Sequence, residues 1–314
     1  MRILHLDENH PLLVEELEKA GFQNTLAYTE TKSEIERIVK DYDGLVVRSR
    51  FPIDASFLAK GTNLKFIARV GAGVENIDQE AAKRKGIELI AAPLGNANAV
   101  GEYALGMLLG LMNKLRLAHQ SIQAGEWLRE THRGEELEGK TVGIIGYGNM
   151  GKSFAKKLIG FDVNEVIYYD IDTKTPDDFA RQVTLEELQA KAEVLSLHTP
   201  QTPLTVGMID AAFLTKMQQP FWMINTARGS AIKTADLVQA LKNGKVKGAA
   251  LDVLEYEKSS FEKLFATEIS SDFSYLLAAD NVLLSPHVAG WSIESHRKLA
   301  QIIIRKIILN FKQL

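Results

Sequence analysis

Cysteine is missing altogether from the 314 residues. Disulfides, thiolate metal sites and a cysteine nucleophile are therefore excluded, and a reducing cytoplasm is the compartment that this usage fits. An excess of charge is missing too. Thirty-seven Lys plus Arg stand against 40 Asp plus Glu, for a net charge of −3, so no global positive field draws the protein to nucleic acid or an anionic membrane. Long apolar runs are absent as well: the longest uncharged stretch, residues 194–209, carries a His, two Pro and several Thr, whereas a membrane span needs ~18 apolar residues. The opening MRILHLDENH has only a few apolar residues before Asp7, too few for a secretory signal, and reads as a first strand. What remains is the composition of a globular protein, 46% hydrophobic and 25% charged. At about 150 residues per domain this length gives two domains, each able to bury a core without staples.

Short apolar runs alternate with helical patterns from the start, the rhythm of parallel α/β structure. In the first hundred residues four strands are readable, at 3–6, 44–48, 64–68 and 87–91. Helices at 12–20 and 78–85 stop before Gly21 and Gly86, as helix C-termini do. Residues 100–122 then read as one long helix whose middle, YALGMLLGLM, is apolar nearly all round. Such a helix is buried on most sides, in a core or against a second copy of the chain. A second α/β series begins at Lys140 with TVGIIG, VIYYD, VLSLH, WMIN, GAALDV and NVLLS as strands, and a helix from about Ile293 closes the chain.

Gly146-Tyr147-Gly148-Asn149-Met150-Gly151 follows the strand TVGII directly and precedes a helical run. That is the context a dinucleotide fingerprint requires. The first glycine permits the tight turn, the second lets backbone approach the pyrophosphate, and the third lets helix and strand pack closely. Asp170 ends the next strand 19 residues beyond Gly151, where a carboxylate accepts from the adenosine ribose hydroxyls and repels a 2′-phosphate. The cofactor expected is therefore NAD rather than NADP, with Asp172 a nearby rival for the same role.

Three later segments put polar groups at strand ends: Asn225-Thr226-Ala227-Arg228-Gly229, Asp252 to Glu257, and Ser285-Pro286-His287-Val288-Ala289-Gly290. Together with the fingerprint and with Arg69-Val70-Gly71-Ala72-Gly73-Val74-Glu75-Asn76, they resemble the NAD-dependent D-2-hydroxyacid dehydrogenase family, in particular its phosphoglycerate dehydrogenase-like members. The resemblance runs from Val46 to the final helix. It implies two doubly wound parallel-sheet domains, a Rossmann NAD-binding domain of residues 99–286 inserted into a flavodoxin-like substrate domain of residues 1–98 and 287–314.

Residue by residue, the resemblance makes Arg228 the grip on the substrate carboxylate and carbonyl, His287 the acid/base, and Glu257 its carboxylate partner. Glu257 is preferred to Glu255 because the family's glutamate lies five residues beyond the strand-end Asp252. Backbone N–H groups of Val70, Gly71 and Ala72 are the expected substrate cradle, with Asn96 and Arg48 as further contacts. Gly146, Gly148, Asn149, Met150, Gly151, Asp170, Thr199, Thr226, Ala227, Asp252 and Ala289 are the expected cofactor contacts. A small 2-hydroxy or 2-oxo acid is the expected partner, no metal is expected, and a homodimer through the 100–122 helix and the NAD-binding domain is.

Elementary chemistry agrees with these roles. Oxidising a 2-hydroxy acid removes a hydride from C2 and a proton from its hydroxyl, and imidazole suits the proton transfer. A guanidinium binds a carboxylate through two parallel N–H bonds and polarises the carbonyl that takes up hydride. His198, also at a strand end, is the rival histidine, and the resemblance puts it in the cofactor pocket. Arg48, Arg50 and Arg69, clustered after strand ends, suit a phosphate; their alternative is to be solvated surface charges or partners of Glu75 and Asp78. On that balance 3-phosphoglycerate/3-phosphohydroxypyruvate, a serine-biosynthesis pair, leads over glycerate/hydroxypyruvate and other D-2-hydroxy acids. An NAD-sensing binding protein or co-repressor of the same fold is the alternative of another class.

Two departures from the family stand out. Lys258 replaces the proline that usually follows the glutamate, and 30 residues separate Glu257 from His287. Phe261, Leu264, Phe265, Phe273, Leu276 and Leu277 in that stretch are expected to form short helical turns covering the cleft or a partner. No regulatory domain is expected after Leu314.

Overall fold

A computed structural model of the chain describes residues 1–257 and 270–312. These form two compact units: one comprises Met1–Asn96 and the described chain from Trp291 onward, the other Ala97–Glu257 and the described chain from 270 to Gly290. The expected limits, 98/99 and 286/287, each shift by a few residues. Asn98 bonds to Glu102 and Lys157 of the second unit, and the N–H groups of His287, Val288 and Ala289 all donate to Asp252.

The first unit contains β1 (Arg2–His5), α1 (Leu12–Lys19), β2 (Gln23–Leu26), α2 (Lys32–Ile38), β3 (Gly44–Val47), α3 (Ala55–Lys60), β4 (Phe66–Arg69), α4 (Gln79–Arg84) and β5 (Glu88–Ala91). Its five parallel strands run in the order β2-β1-β3-β4-β5, the flavodoxin-like order. Five strands replace the four expected. The one missed, β2, reads QNTL and lies half-exposed at the sheet edge, so it carries no apolar signature. The central β3, Gly-Leu-Val-Val, is buried throughout, as parallel strands covered on both faces must be. Thr31 closes a capping box with Glu34, and Asp54 and Asp78 cap α3 and α4, each cap contributing ~1 kcal/mol.

The second unit begins with α5 (Ala97–Met112) and α6 (Leu115–Gln123). The single helix expected over 100–122 is thus broken. Lys114 between them is left-handed at φ 50°, a conformation costing a non-glycine residue ~1–2 kcal/mol. Its two parts differ: α5 buries eight residues, whereas α6 buries none fully. Then follow β6 (Thr141–Ile145), α7 (Asn149–Lys157), β7 (Glu165–Tyr169), β8 (Arg181–Gln182), α8 (Leu185–Lys191), β9 (Val194–Leu197), α9 (Ala211–Lys216), β10 (Phe221–Asn225), α10 (Thr234–Lys242), β11 (Val246–Leu251), α11 (Ser271–Ala278) and β12 (Val282–Leu284). The seven strands are ordered β12-β11-β10-β9-β6-β7-β8 and all parallel. The connections reverse direction beside β6, and the crevice at the carboxyl ends of β6 and β9 is where a doubly wound sheet binds its ligand. Phe273 and Leu276 of α11 are buried in this unit's own core, whereas Leu277 is half-exposed; the expected covering role does not hold for the two buried residues. Phe261, Leu264, Phe265 and Lys258 lie outside the described residues. The last helix, α12 (Ile293–Phe311), returns to the first unit and packs Leu299, Ala300, Ile303, Ile304 and Ile307 with Leu13, Leu17, Phe66 and Ile90. Among the described residues no helix is long and apolar enough to cross a membrane.

One buried group makes stability depend on pH. His5 on β1 is fully buried, its Nε2 2.8 Å from Asn24 Oδ1, and desolvation lowers its pKa to about 4. Below the ordinary imidazole value the unfolded chain takes up a proton that the native state refuses, so native stability falls as pH drops from ~6.5 to about 4. The expected loss from this residue is ~3 kcal/mol. Urea unfolding of wild type and His5→Asn across that range checks it; parallel pH profiles would contradict it.

Candidate active site

The crevice of the second unit is built from the β6–α7 turn. Gly146 adopts φ 89°, and a Cβ on Gly151 would lie 2.2 Å from the Gly146 carbonyl oxygen. Only glycine fits where the helix starts against the strand end. Gly148, the N-cap of α7, provides no side-chain cap, and nothing lies within 4 Å of where its Cβ would be. Open space over the first-turn amides of Asn149, Met150 and Gly151 is what a pyrophosphate requires. Thr199 and Thr226, just past β9 and β10, have buried hydroxyls with no hydrogen-bond partner among the described residues. These two orphaned hydroxyls and the open turn fit a dinucleotide.

Asp170, just beyond β7, is tied to the same turn. Its Oδ2 accepts from Tyr147 N–H at 2.7 Å, and its Oδ1 accepts from Asp172 N–H at 3.1 Å and pairs with Lys174 at 3.2 Å. Asp172 is largely exposed, so of the two acids Asp170 is the one held on the glycine loop. The Tyr147 ring stacks on Tyr168 at 3.8 Å, and its hydroxyl donates to Asp177. Burial and Asp177 together push that phenol above its ordinary range. His198 sits beneath the crevice, 2.8 Å from Ser196 Oγ, and burial lowers its pKa to about 3. It stays neutral and makes a poor proton donor.

Further along the rim, His287 Nδ1 lies 2.8 Å from Glu257 Oε2. The other carboxylate oxygen of Glu257 accepts from Leu254 N–H at 2.5 Å, whereas Glu255 accepts from Thr234 N–H at the start of α10. Geometry therefore separates the two glutamates as the spacing does. His287 is left-handed, φ 57°, a conformation costing a non-glycine residue ~1–3 kcal/mol. Asp252 is the residue around which this loop is wrapped. Its Oδ1 accepts from Ser285 Oγ at 2.6 Å and Val288 N–H at 2.9 Å, and its Oδ2 from Ala289 N–H at 2.8 Å. The resemblance makes Asp252 and Ala289 cofactor contacts; here the Ala289 amide donates to the carboxylate, whose Oδ2 accepts from that one amide. Ala227 is likewise nearly buried, its N–H donating to Asn225 Oδ1 and its carbonyl accepting from Arg228 Nη1. Asn225 also donates to the Arg228 carbonyl, stapling the turn that carries the arginine. Sequence reasoning missed Asn225 and Ser285, although an Asn two residues before a turn amide is a recognisable Asx-turn signal.

In the first unit the expected cradle is only partly available. The Val70 N–H donates to Val47 and the Gly71 N–H to Arg69; among the described residues, of the three amides only Ala72's lacks a backbone partner. These two amides finish β4 and its turn. Asn96 Oδ1 is buried with no hydrogen-bond partner among the described residues. Arg50 is turned inward, donating to the carbonyls of Leu6, Ala27 and Glu30. The Arg48 guanidinium donates to the Glu8 carbonyl and lies 4.1 Å from the Trp291 ring centre.

An NAD-type crevice with a histidine–carboxylate pair on its rim marks the class as a dinucleotide-dependent oxidoreductase. Comparison with known proteins makes this specific. The family model described as D-isomer specific 2-hydroxyacid dehydrogenase, NAD binding domain, matches residues 105–289. The hydroxypyruvate reductase of Thermotoga maritima is 36% identical over 90% of this chain and 88% of its own length. The D-3-phosphoglycerate dehydrogenase of Archaeoglobus fulgidus is 33% identical over 98% of this chain, which spans 57% of that relative. The solved structure of a D-2-hydroxyisocaproate dehydrogenase superposes with a TM-score of 0.84 at 26% identity, covering 100% of this chain and 98% of that one. The chain belongs to the D-isomer specific 2-hydroxyacid dehydrogenase family, whose members are NAD-dependent oxidoreductases. The resemblance carried by the motifs, the two-domain α/β fold and NAD as cofactor are all borne out.

Proposed function

We propose that the chain moves hydride between NAD and C2 of a small D-2-hydroxy acid, with the catalytic set Arg228, Glu257 and His287. The observation that carries this is the 2.8 Å contact of His287 Nδ1 with Glu257, on the rim of a sheet whose glycine loop fits NAD. When bound, NAD supplies hydride in reduction and accepts it in oxidation. By engaging Nδ1, Glu257 fixes the ring and leaves Nε2 to give a proton to the C2 oxygen or take it back. Arg228 binds the substrate carboxylate and polarises the carbonyl.

Asp170 is the ribose acceptor in this reading. Asp170→Ala is expected to raise the NADH dissociation constant about 10- to 100-fold, the value of hydrogen bonds to a charged acceptor. Fluorescence titration measures it, and unchanged affinity would remove the assignment.

For the substrate, 3-phosphoglycerate/3-phosphohydroxypyruvate leads, supported by relatives named D-3-phosphoglycerate dehydrogenase. A second reading, glycerate/hydroxypyruvate, is favoured by one observation, the withdrawal of Arg50 into backbone contacts. Loss of NADH absorbance with 3-phosphohydroxypyruvate, hydroxypyruvate, glyoxylate and pyruvate ranks them by kcat/KM. Tight NADH binding with no turnover of any would turn the account to an NAD-sensing protein. A cytoplasmic homodimer completes the proposal. The apolar surface for it is not α5, which is buried in its own unit, but α6 and the chain after it, where Leu115, Ile122, Trp127 and Leu128 are exposed. Sedimentation equilibrium reads the mass directly.

A further inference from the structure

We propose that Lys174 is a specificity-determining residue at the adenosine end of the crevice, a cation placed to receive a 2′-phosphate, so that the chain binds NADP(H) as a second, weaker dinucleotide beside NAD(H). This rests on the reading of Asp170 as the ribose acceptor.

A carboxylate at this strand end accepts from the ribose hydroxyls and repels a 2′-phosphate, whereas a cation nearby accommodates that phosphate. Here both are present. Asp170 is followed by Ile171-Asp172-Thr173-Lys174, and the turn folds back on itself. Asp172 N–H donates to Asp170 Oδ1 at 3.1 Å, Lys174 N–H donates to Gln182 Oε1 at 3.2 Å, and Gln182 Nε2 donates to the Asp172 carbonyl at 2.9 Å. The backbone of the turn is thus fastened to β8, and the Lys174 ammonium lies 3.2 Å from Asp170 Oδ1 and 3.2 Å from Asp172 Oδ2. Both distances exceed the roughly 2.7–2.9 Å of a full charge-assisted hydrogen bond. One ammonium is shared between two acids, and the Asp172 side chain is 73% exposed, so that pair holds it weakly. Neighbouring cations are engaged elsewhere: Lys152 pairs with Asp177 at 2.9 Å, and Arg181 with Glu165 and Glu187 at 2.9 Å each.

The Asp170 carboxylate does not depend on Lys174 for its place. The amides of Tyr147 and Asp172 hold one oxygen each. Among the described residues Oδ2 accepts from the Tyr147 amide alone, which leaves that oxygen a lone pair for a ribose hydroxyl. Lys174 therefore adds little to NAD binding. A 2′-phosphate, carrying more charge than either carboxylate, is the stronger partner for the ammonium, and the flexible lysine stem lets the head group turn to it. Asp170 sets the preference for NAD, and Lys174 sets how steep that preference is.

The test measures NADH and NADPH dissociation constants by fluorescence titration of the full chain, for wild type, Lys174→Met, Lys174→Arg, Asp170→Ala and the double variant Asp170→Ala/Lys174→Met. Calorimetry with 5′-AMP and 2′,5′-ADP repeats the comparison without the nicotinamide half. Lys174→Met is expected to weaken NADPH and 2′,5′-ADP about 10-fold, the value of a hydrogen bond between charged groups, and to leave NADH and 5′-AMP within about threefold of wild type. Lys174→Arg should retain NADPH. Asp170→Ala should weaken NADH but not NADPH, inverting the preference, and the double variant should lose that inversion. NADPH weakened no more than NADH in Lys174→Met would overturn the proposal and make the lysine a fastener of the turn. No binding of NADPH or 2′,5′-ADP by wild type would overturn it as well. Failure of the ribose reading is distinguishable, since Asp170→Ala would then leave NADH affinity unchanged whatever Lys174→Met does to NADPH.

Discussion

His287→Gln is expected to lower kcat by about 10²- to 10⁴-fold, the range that positioned general acid–base catalysis supplies, while NADH binds as in wild type. Glutamine keeps a polar side chain of similar reach but has no ring nitrogen that can cycle a proton. The left-handed backbone at position 287 loses nothing held by the side chain, because the loop is tied by its amides to Asp252. Stability should therefore change little and the loss should fall on the chemical step. Glu257→Gln should lose less, since an amide oxygen still accepts from Nδ1 at the 2.8 Å contact but without charge. Steady-state kinetics of both variants check this, and near-normal turnover in His287→Gln would remove the residue from the mechanism.

Gly229→Ala is expected to be nearly as damaging for a different reason. A Cβ there would lie 1.9 Å from the carbonyl oxygen of Leu254 and 2.7 Å from the N of Glu255. Both are backbone atoms, so no rotamer change relieves the clash. Arg228 immediately precedes this glycine, and Leu254 donates to Glu257, so separating the two segments moves the arginine and the glutamate together. Overpacking of this kind costs ~1–3 kcal/mol or more, and a shift of ~1 Å in a catalytic group costs about 100-fold in rate. Thermal unfolding should show a lowered Tm, and kcat/KM should fall about 100-fold in the protein that still folds. Wild-type Tm and rate would show that the two segments are not in contact as described.

The sequence made the architecture legible where burial was complete. TVGII, VLSL and FWMIN are wholly buried strands, and their mostly apolar runs can mean little else beside a glycine fingerprint. Two of the four edge strands were invisible: β2 is polar and half-exposed, and β8 has two residues. The break at Lys114 was invisible too, because neither Gly nor Pro marks it. In the site, residue types and their order were readable, including the separation of Glu257 from Glu255. What could not be read was which hydrogen bonds are already satisfied. The Val70 and Gly71 amides and the Arg50 guanidinium have the chemistry of ligand contacts, and all are taken by backbone acceptors distant in sequence or across a turn. Local pattern encodes a group's capacity, whereas its occupancy is set by tertiary structure.

The most direct test supplies NADH deuterated at nicotinamide C4 together with hydroxypyruvate, and analyses the product by chiral chromatography and mass spectrometry. The account predicts D-glycerate with deuterium at C2, formed by wild type and strongly reduced with His287→Gln. The L enantiomer, or tight NADH binding with no glycerate formed from hydroxypyruvate or from any other 2-oxo acid tried, would contradict it.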